Sequence, residues 1–175
     1  MRESWVRGIF FRQVLDYLMH HLSRTSFELL GTGVSDFKPE EKYDFALFGD
    51  LLYKVKLVAT SDDDYIAKVS RELMNREVKW KSLFVRMDPK NVFTSTKRQE
   101  GRQQVADYEP GEATDGRAII RMTMWTDNRA HQDLWAEFYR GRLEGILDLM
   151  GRKGSVKLVR EFGDDGIFTY TISWT

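Results

Sequence analysis

The strongest constraint on how this chain folds sits near its end. Between Phe138 and Ile172 a glycine-punctuated amphipathic helix runs into a glycine-rich turn and then into two strands. The last strand alternates Phe168, Tyr170, Ile172 and Trp174 against Thr169, Thr171 and Ser173, the period of two that gives a sheet unlike faces. Just before it, Gly163-Asp164-Asp165-Gly166 supplies the turn chemistry of a hairpin. The helix, expected over 130–150, carries Leu134, Phe138, Gly141, Gly145 and Leu149 on one side. A glycine inside a helix costs about 1 kcal/mol relative to alanine. Two of them four residues apart therefore mark the close approach of another backbone, expected to be the sheet.

The rest of the chain divides on the same logic of periodicity. Val6, Ile9, Phe10, Val14, Tyr17, Leu18 and Leu22 recur at steps of three and four, predicting a helix over 5–22. A second helix is expected over 40–59, with Pro39 just before or inside its first turn, where a missing N–H is harmless. Ser61 and the run Asp62-Asp63-Asp64 read as the N-terminus of a third, ending near Asn75, because acids favour the positive end of the helix dipole. From 78 to 85 the pattern fits a short helix or a strand, and Met87-Asp88-Pro89 is expected to close it. Strands are predicted over 105–108, 118–125, 156–162 and 167–174, with Pro110, Gly111 and Gly116 marking a looser hairpin connection. The fold class expected is α+β: N-terminal helices followed by a β-β-α-β-β antiparallel sheet, in a single domain over 1–175. Its helical part would cover 1–90 and its sheet-rich part 91–175.

Charge and cysteine content exclude several function classes. Lys plus Arg and Asp plus Glu number 27 each, so the formal net charge is zero. The broad basic footprint of a nucleic-acid binder is missing, and Lys97-Arg98 and Arg152-Lys153 read as solvated surface. With no cysteine, disulfides, thiolate metal sites and cysteine nucleophiles are ruled out. No apolar run approaches the roughly eighteen residues of a membrane-spanning helix. The N-terminal pattern, broken by Arg7, Arg12 and Asp16, is not that of a signal peptide, so a cytoplasmic protein is expected.

Catalytic and metal signatures are equally sparse. No GxSxG elbow, GxGxxG loop or Walker-type phosphate loop occurs, and Gly31-Thr32-Gly33 opens no such unit. Three aspartates at 62–64 lack the glycine and downstream glutamate of a calcium loop. His20 and His21 are neighbours, about 100° apart around a helix, and cannot chelate one ion together. A single imidazole from His20, His21 or His131 could be an axial haem ligand, although no other feature of the residues points to haem. Glu137 and Glu144 read as a solvated face rather than an acid–base pair. Beside the glycine face lie Trp135, Tyr139, Arg142 and Ile146, and two readings stay open. One is a helix packed on a sheet with an aromatic border. In the other, Trp125, Trp135, Phe138 and Tyr139 wall an apolar pocket and Arg142 turns toward a ligand's acidic or polar end.

A long helix with GRLEG at its middle, a turn, a strand and a final hairpin ending in TISW resembles the C-terminal part of the 4-vinyl-reductase-type small-molecule-binding domains. RMDPKNVF before a hairpin, FYRGRLEGIL before two terminal strands and the opening VRGIFFRQVLDYL also resemble a family of myxobacterial paralogues of similar length. The resemblance implies a wider superfamily that includes haem nitric-oxide sensors and the TRAPP vesicle-tethering subunits. Its members enclose an apolar cavity between helices and a sheet, often dimerise, and bind ligands or partners rather than catalyse. Two departures follow. The paired cysteines found near the end of many 4-vinyl-reductase domains are absent, and Arg121-Met122-Thr123 offers no equivalent of the haem sensors' Tyr-x-Ser-x-Arg motif. The expectation is thus a non-catalytic sensory domain without metal or haem, holding a small hydrophobic or amphipathic ligand in a helix–sheet cavity. It would hold a ligand rather than transform one, with a cofactor-free enzyme on a lipid-like substrate left as a third reading, and it would form a homodimer. The alternative is a TRAPP-like interaction or dimerisation module.

Overall fold

The apolar stripe of the first eighteen or so residues does form a helix, but it starts later than its periodicity suggests. In the computed structural model, which describes residues 3–59, 62–76, 84–95, 103–161 and 166–175, Trp5–Arg7 is a strand (β1) and the helix α1 spans Gly8–His21. Val6 is fully buried and pairs with Tyr43 on one side and Gln103 on the other. These pairings make a small antiparallel sheet in the order β2-β1-β3, with β2 at Lys42–Asp44 and β3 at Gln103–Gln104. The helix expected over 40–59 therefore begins only at Phe45. Asp44 stops the strand and caps the helix α3 (Phe45–Val58), its carboxylate accepting from the Ala46 N–H at 2.8 Å. Pro39 lies before β2, and its carbonyl accepts from the Ile9 N–H. The short helix α2 (Arg24–Glu28) lies between α1 and a 3-10 turn at Val34–Asp36.

α4 covers Tyr65–Arg76. Ser61 lies outside the described residues, and among those described it is Asp62 that meets the start of this helix, accepting from the N–H of Asp64 and of Tyr65. Residues 78–83 also lie outside the description. Met87-Asp88-Pro89, expected to close a segment, follows a turn and also opens a helix: Asp88 caps α5 (Pro89–Thr94) through the Lys90 N–H, with proline in the first turn. Proline's fixed φ and missing N–H suit that first turn, so the same residues that end one element can start the next.

The second sheet has four antiparallel strands in the order β4-β5-β7-β6. They span Ala106–Thr114, Arg117–Met124, Ile167–Trp174 and Gly154–Arg160 respectively. Pro110 and Gly111 do not form the hairpin turn; they lie within β4, where its register against β5 shifts between Pro110 and Ala113. Proline has no N–H to give a ladder, and an edge strand with a bulge tolerates it. The turn itself is Asp115-Gly116, with Gly116 at φ +91. Of the second turn only Gly166, at φ +62, is described. Alternation in β7 holds as read: Phe168, Tyr170 and Ile172 are buried and Trp174 is half-buried.

α6 (Arg129–Leu149) joins the two halves of the four-stranded sheet and is the spine of the core. Its glycines do not face the sheet. A Cβ at Gly141 would overlap the carbonyl oxygen of Ala67, and one at Gly145 would lie 2.5 Å from Met74 Cβ, both on α4. The glycine pair thus sets the distance between two helices, and α6's opposite side, with Trp135, Tyr139 and Leu147, turns to the remaining core. Arg71 of α4 locks the pairing through a bidentate contact to Asp148 at 2.6 and 2.8 Å.

Candidate functional site

The first turn of α6 is fixed by Asn128, whose side chain accepts from the His131 N–H at 3.2 Å. One turn further on, Trp135 is completely buried. Its ring lies 5.6 Å from Phe45 and 5.9 Å from Phe48, both edge-to-face, 6.4 Å from Phe10, tilted, and 5.6 Å from Phe138, stacked. The helices α1 and α3 thus meet α6 through rings.

On the sheet side the lining turns polar. Tyr139 stands 4.9 Å from the Tyr108 ring and 5.3 Å from Tyr170. The Tyr108 hydroxyl accepts from the Trp135 indole N–H at 3.2 Å and from the Gln103 amide at 3.3 Å. Desolvation pushes the Tyr108 phenol above its ordinary pKa, and the nearby Arg142 charge only partly opposes that. The Tyr170 hydroxyl donates to the Ala136 carbonyl at 3.2 Å, and burial likewise raises its pKa well above the usual phenol value. Both phenols stay protonated, as donors and acceptors rather than bases. Arg142 is half-buried, with its guanidinium 5.2 Å above the Phe10 ring.

Four of the five residues singled out in the sequence therefore converge: Trp135, Phe138, Tyr139 and Arg142. Trp125 does not join them. It lies just past the end of β5, and its indole donates to Asp107 at 3.0 Å. Tyr108, Tyr170 and Gln103 were missed as site residues. Tyr108 lies in a strand whose other members are mostly exposed, so no alternation in the sequence flags it.

The histidines take separate places. His20 and His21 use Nδ1 on carbonyls of their own helix, at Asp16 and Tyr17, and the His21 ring stacks on Tyr17 at 4.0 Å. His131 is buried, its Nε2 is 2.9 Å from Asp50 Oδ1, and its ring rests on Gly49, where a Cβ would come within 2.5 Å. Its Nδ1 has no hydrogen-bond partner among the described residues. A shallow cleft of about 540 Å³ lies elsewhere, lined among others by Arg86, Asp88, Asp115, Arg152 and Trp174. No group of three or more His, Asp or Glu among the described residues could hold a metal ion, and no described helix is long and apolar enough to cross a membrane.

No protein-family model and no curated protein sequence matches this chain. Solved structures do. The Fe(II) unliganded H-NOX protein from K. algicida superposes with a TM-score of 0.75 at 12% identity, over 97% of this chain and 96% of that one. A T. Tengcongensis H-NOX mutant gives 0.64 at 13% identity, over 95% of both chains. A further neighbour, a protein whose haem redox potential is modulated through porphyrin distortion, gives 0.61 at 13% identity over 97% and 95%. The fold is that of the H-NOX domains: an α+β domain with antiparallel sheets, matched end to end. At such identities the likeness is one of fold.

Haem is the group that this fold brings into question, and the residues here do not fit it. Rings of Phe10, Phe45, Phe48, Trp135 and Phe138 occupy the apolar layer between helices. The one buried imidazole presents its Nε2 to a carboxylate and occupies the space a Cβ at Gly49 would need.

Proposed function

We propose that this chain is a non-catalytic sensory domain, one ligand-binding unit over 1–175, that takes a small apolar or amphipathic molecule at the seam between α6 and β4. The observation that carries this reading is the composition of that seam. Aromatic walls from the buried Trp135, Phe138 and Tyr139 converge with a few polar groups: the Trp135 indole N–H, the half-buried Tyr108 hydroxyl and the half-buried Arg142 guanidinium. Apolar walls with few, well-placed polar groups are what a small-molecule site needs, the first for affinity and the second for orientation. Fold likeness to H-NOX domains supports a sensor and offers no support to a vesicle-tethering role. In the closed form the rings touch, so the ligand enters by rotating Trp135 or Tyr139 aside, selecting a minor open conformer. A homodimer and a cytoplasmic setting belong to the same proposal.

The test is a titration of the purified chain with decanoate and decanol, read by tryptophan fluorescence and by native mass spectrometry. Saturable one-to-one binding is expected. Arg142→Ala is expected to weaken decanoate more than decanol by about tenfold, the order of a charge-assisted contact. Absence of any saturable change or adduct with either probe defeats the proposal.

A further inference from the structure

The outer face of α3 is apolar and open. Leu47, Tyr53 and Leu57 are 51%, 49% and 54% exposed, while Phe48, Leu51, Leu52 and Val55 on the inner face are buried. Between the exposed apolar residues lie Asp50 and Lys54, both exposed. At 100° per residue these five positions fall within one arc of about 120°. Leu29, 69% exposed, adjoins Leu30, whose carbonyl accepts from Lys54 Nζ at 2.9 Å, so the apolar surface extends past the helix.

The order of residues on this face is symmetric about position 52. Leu47 and Leu57 lie equally far to either side, and so do Asp50 and Lys54. If two copies of α3 lie antiparallel across a two-fold axis at that level, Leu47 meets the partner's Leu57. Asp50 then meets the partner's Lys54, and the two Tyr53 rings flank the axis. A parallel arrangement would set aspartate on aspartate and lysine on lysine, a like-charge juxtaposition that costs affinity. A two-fold interface uses one patch on both subunits and must be complementary to itself, and this face meets that condition in both its leucines and its charges. His131 holds one oxygen of Asp50 from below at 2.9 Å, yet the carboxylate remains 63% exposed. The Leu30 carbonyl steadies Lys54 in the same way.

We infer that α3 is a self-association surface, through which a second copy of this chain docks antiparallel, leucine to leucine and Asp50 to the partner's Lys54. One helix face about 21 Å long and about 10 Å wide presents roughly 200 Å², well under the roughly 800 Å² per partner of a standard interface. The dimer is therefore weak and concentration-dependent. The assignment needs no ligand in the α6 seam and stands or falls apart from it.

Sedimentation velocity over a dilution series tests it. The wild-type chain is expected to move from monomer to dimer as concentration rises. Asp50→Lys and Lys54→Glu, each alone, place like charges on both sides of the axis and are expected to weaken association at least tenfold. Mixing the two variants in equal amounts restores complementary pairs at both positions, so a heterodimer is expected where neither variant self-associates. Leu57→Glu, which leaves the Asp50 and His131 side chains in place, is expected to abolish the dimer as well. A wild-type chain that stays monomeric at the highest attainable concentration overturns the inference. So does a dimer left unchanged by Leu57→Glu, or a mixture of the two folded charge variants that fails to associate.

Discussion

At the scale of single residues, Trp135 and Tyr108 hold the most consequential contact. The buried indole N–H and the half-buried phenol satisfy one another at 3.2 Å. Tyr108→Phe removes the acceptor and leaves the N–H unsatisfied, a change expected to cost about 1–3 kcal/mol in urea unfolding. Trp135→Ala removes a ring that four phenylalanines touch. It is expected to cost about 3–5 kcal/mol and to leave a void that indole or benzene refills, raising Tm in a dose-dependent way. Trp135 was legible in the sequence because it sits one helical step from the glycine face. Tyr108 was not, since what makes it matter is the burial of a single residue by Trp135, Tyr139 and Gln103, which come from distant parts of the chain.

At the scale of elements, the packing of α4 on α6 concentrates both sterics and charge. Gly141→Ala would press a methyl group into the Ala67 carbonyl, and backbone cannot yield as a side-chain tip does. A loss of about 1–3 kcal/mol by urea denaturation is expected, whereas Gly151→Ala would meet no neighbour and suffer only the strain of its positive φ. The sequence identified these glycines as points of close approach but assigned the wrong neighbour. Spacing within one helix says which side is thin, not which element fills the gap. The ion pair at the same interface makes stability depend on pH. Hydrogen bonds from Arg71, and then from Asn75, hold the Asp148 carboxyl below its ordinary pKa. Its contribution is therefore complete above the ordinary carboxylate range and lost as pH falls through the lowered folded value. Burial raises Glu144, so that residue acts in the opposite sense, favouring the fold when protonated and losing this as pH rises. Asp148→Asn is expected to flatten the acid side of a plot of urea midpoint against pH, and Glu144→Gln to steepen it.

At the scale of the whole molecule, the chain follows the H-NOX fold from end to end, yet its interior chemistry differs from what a haem pocket needs. Titration with hemin is expected to give no stoichiometric Soret band. A one-to-one band that disappears in His131→Ala would show that the aromatic layer opens and the His131–Asp50 contact yields. The α+β class, the order of the C-terminal strands and the long glycine-bearing helix were determined by the sequence alone, because each rests on local periodicity: two for strands, near 3.6 for helices. Composition also settled the absence of disulfide and thiolate chemistry. Other features needed the tertiary structure. Three-residue strands such as Trp5–Arg7 and Lys42–Asp44 are too short to show a period, and only their mutual pairing makes them strands. Which helix met the glycines, which tyrosine met the tryptophan, and which face of α3 was left open all depended on contacts between residues far apart in the chain. Local pattern determines the shape of each piece, but burial, the larger energy, is decided only when the pieces meet.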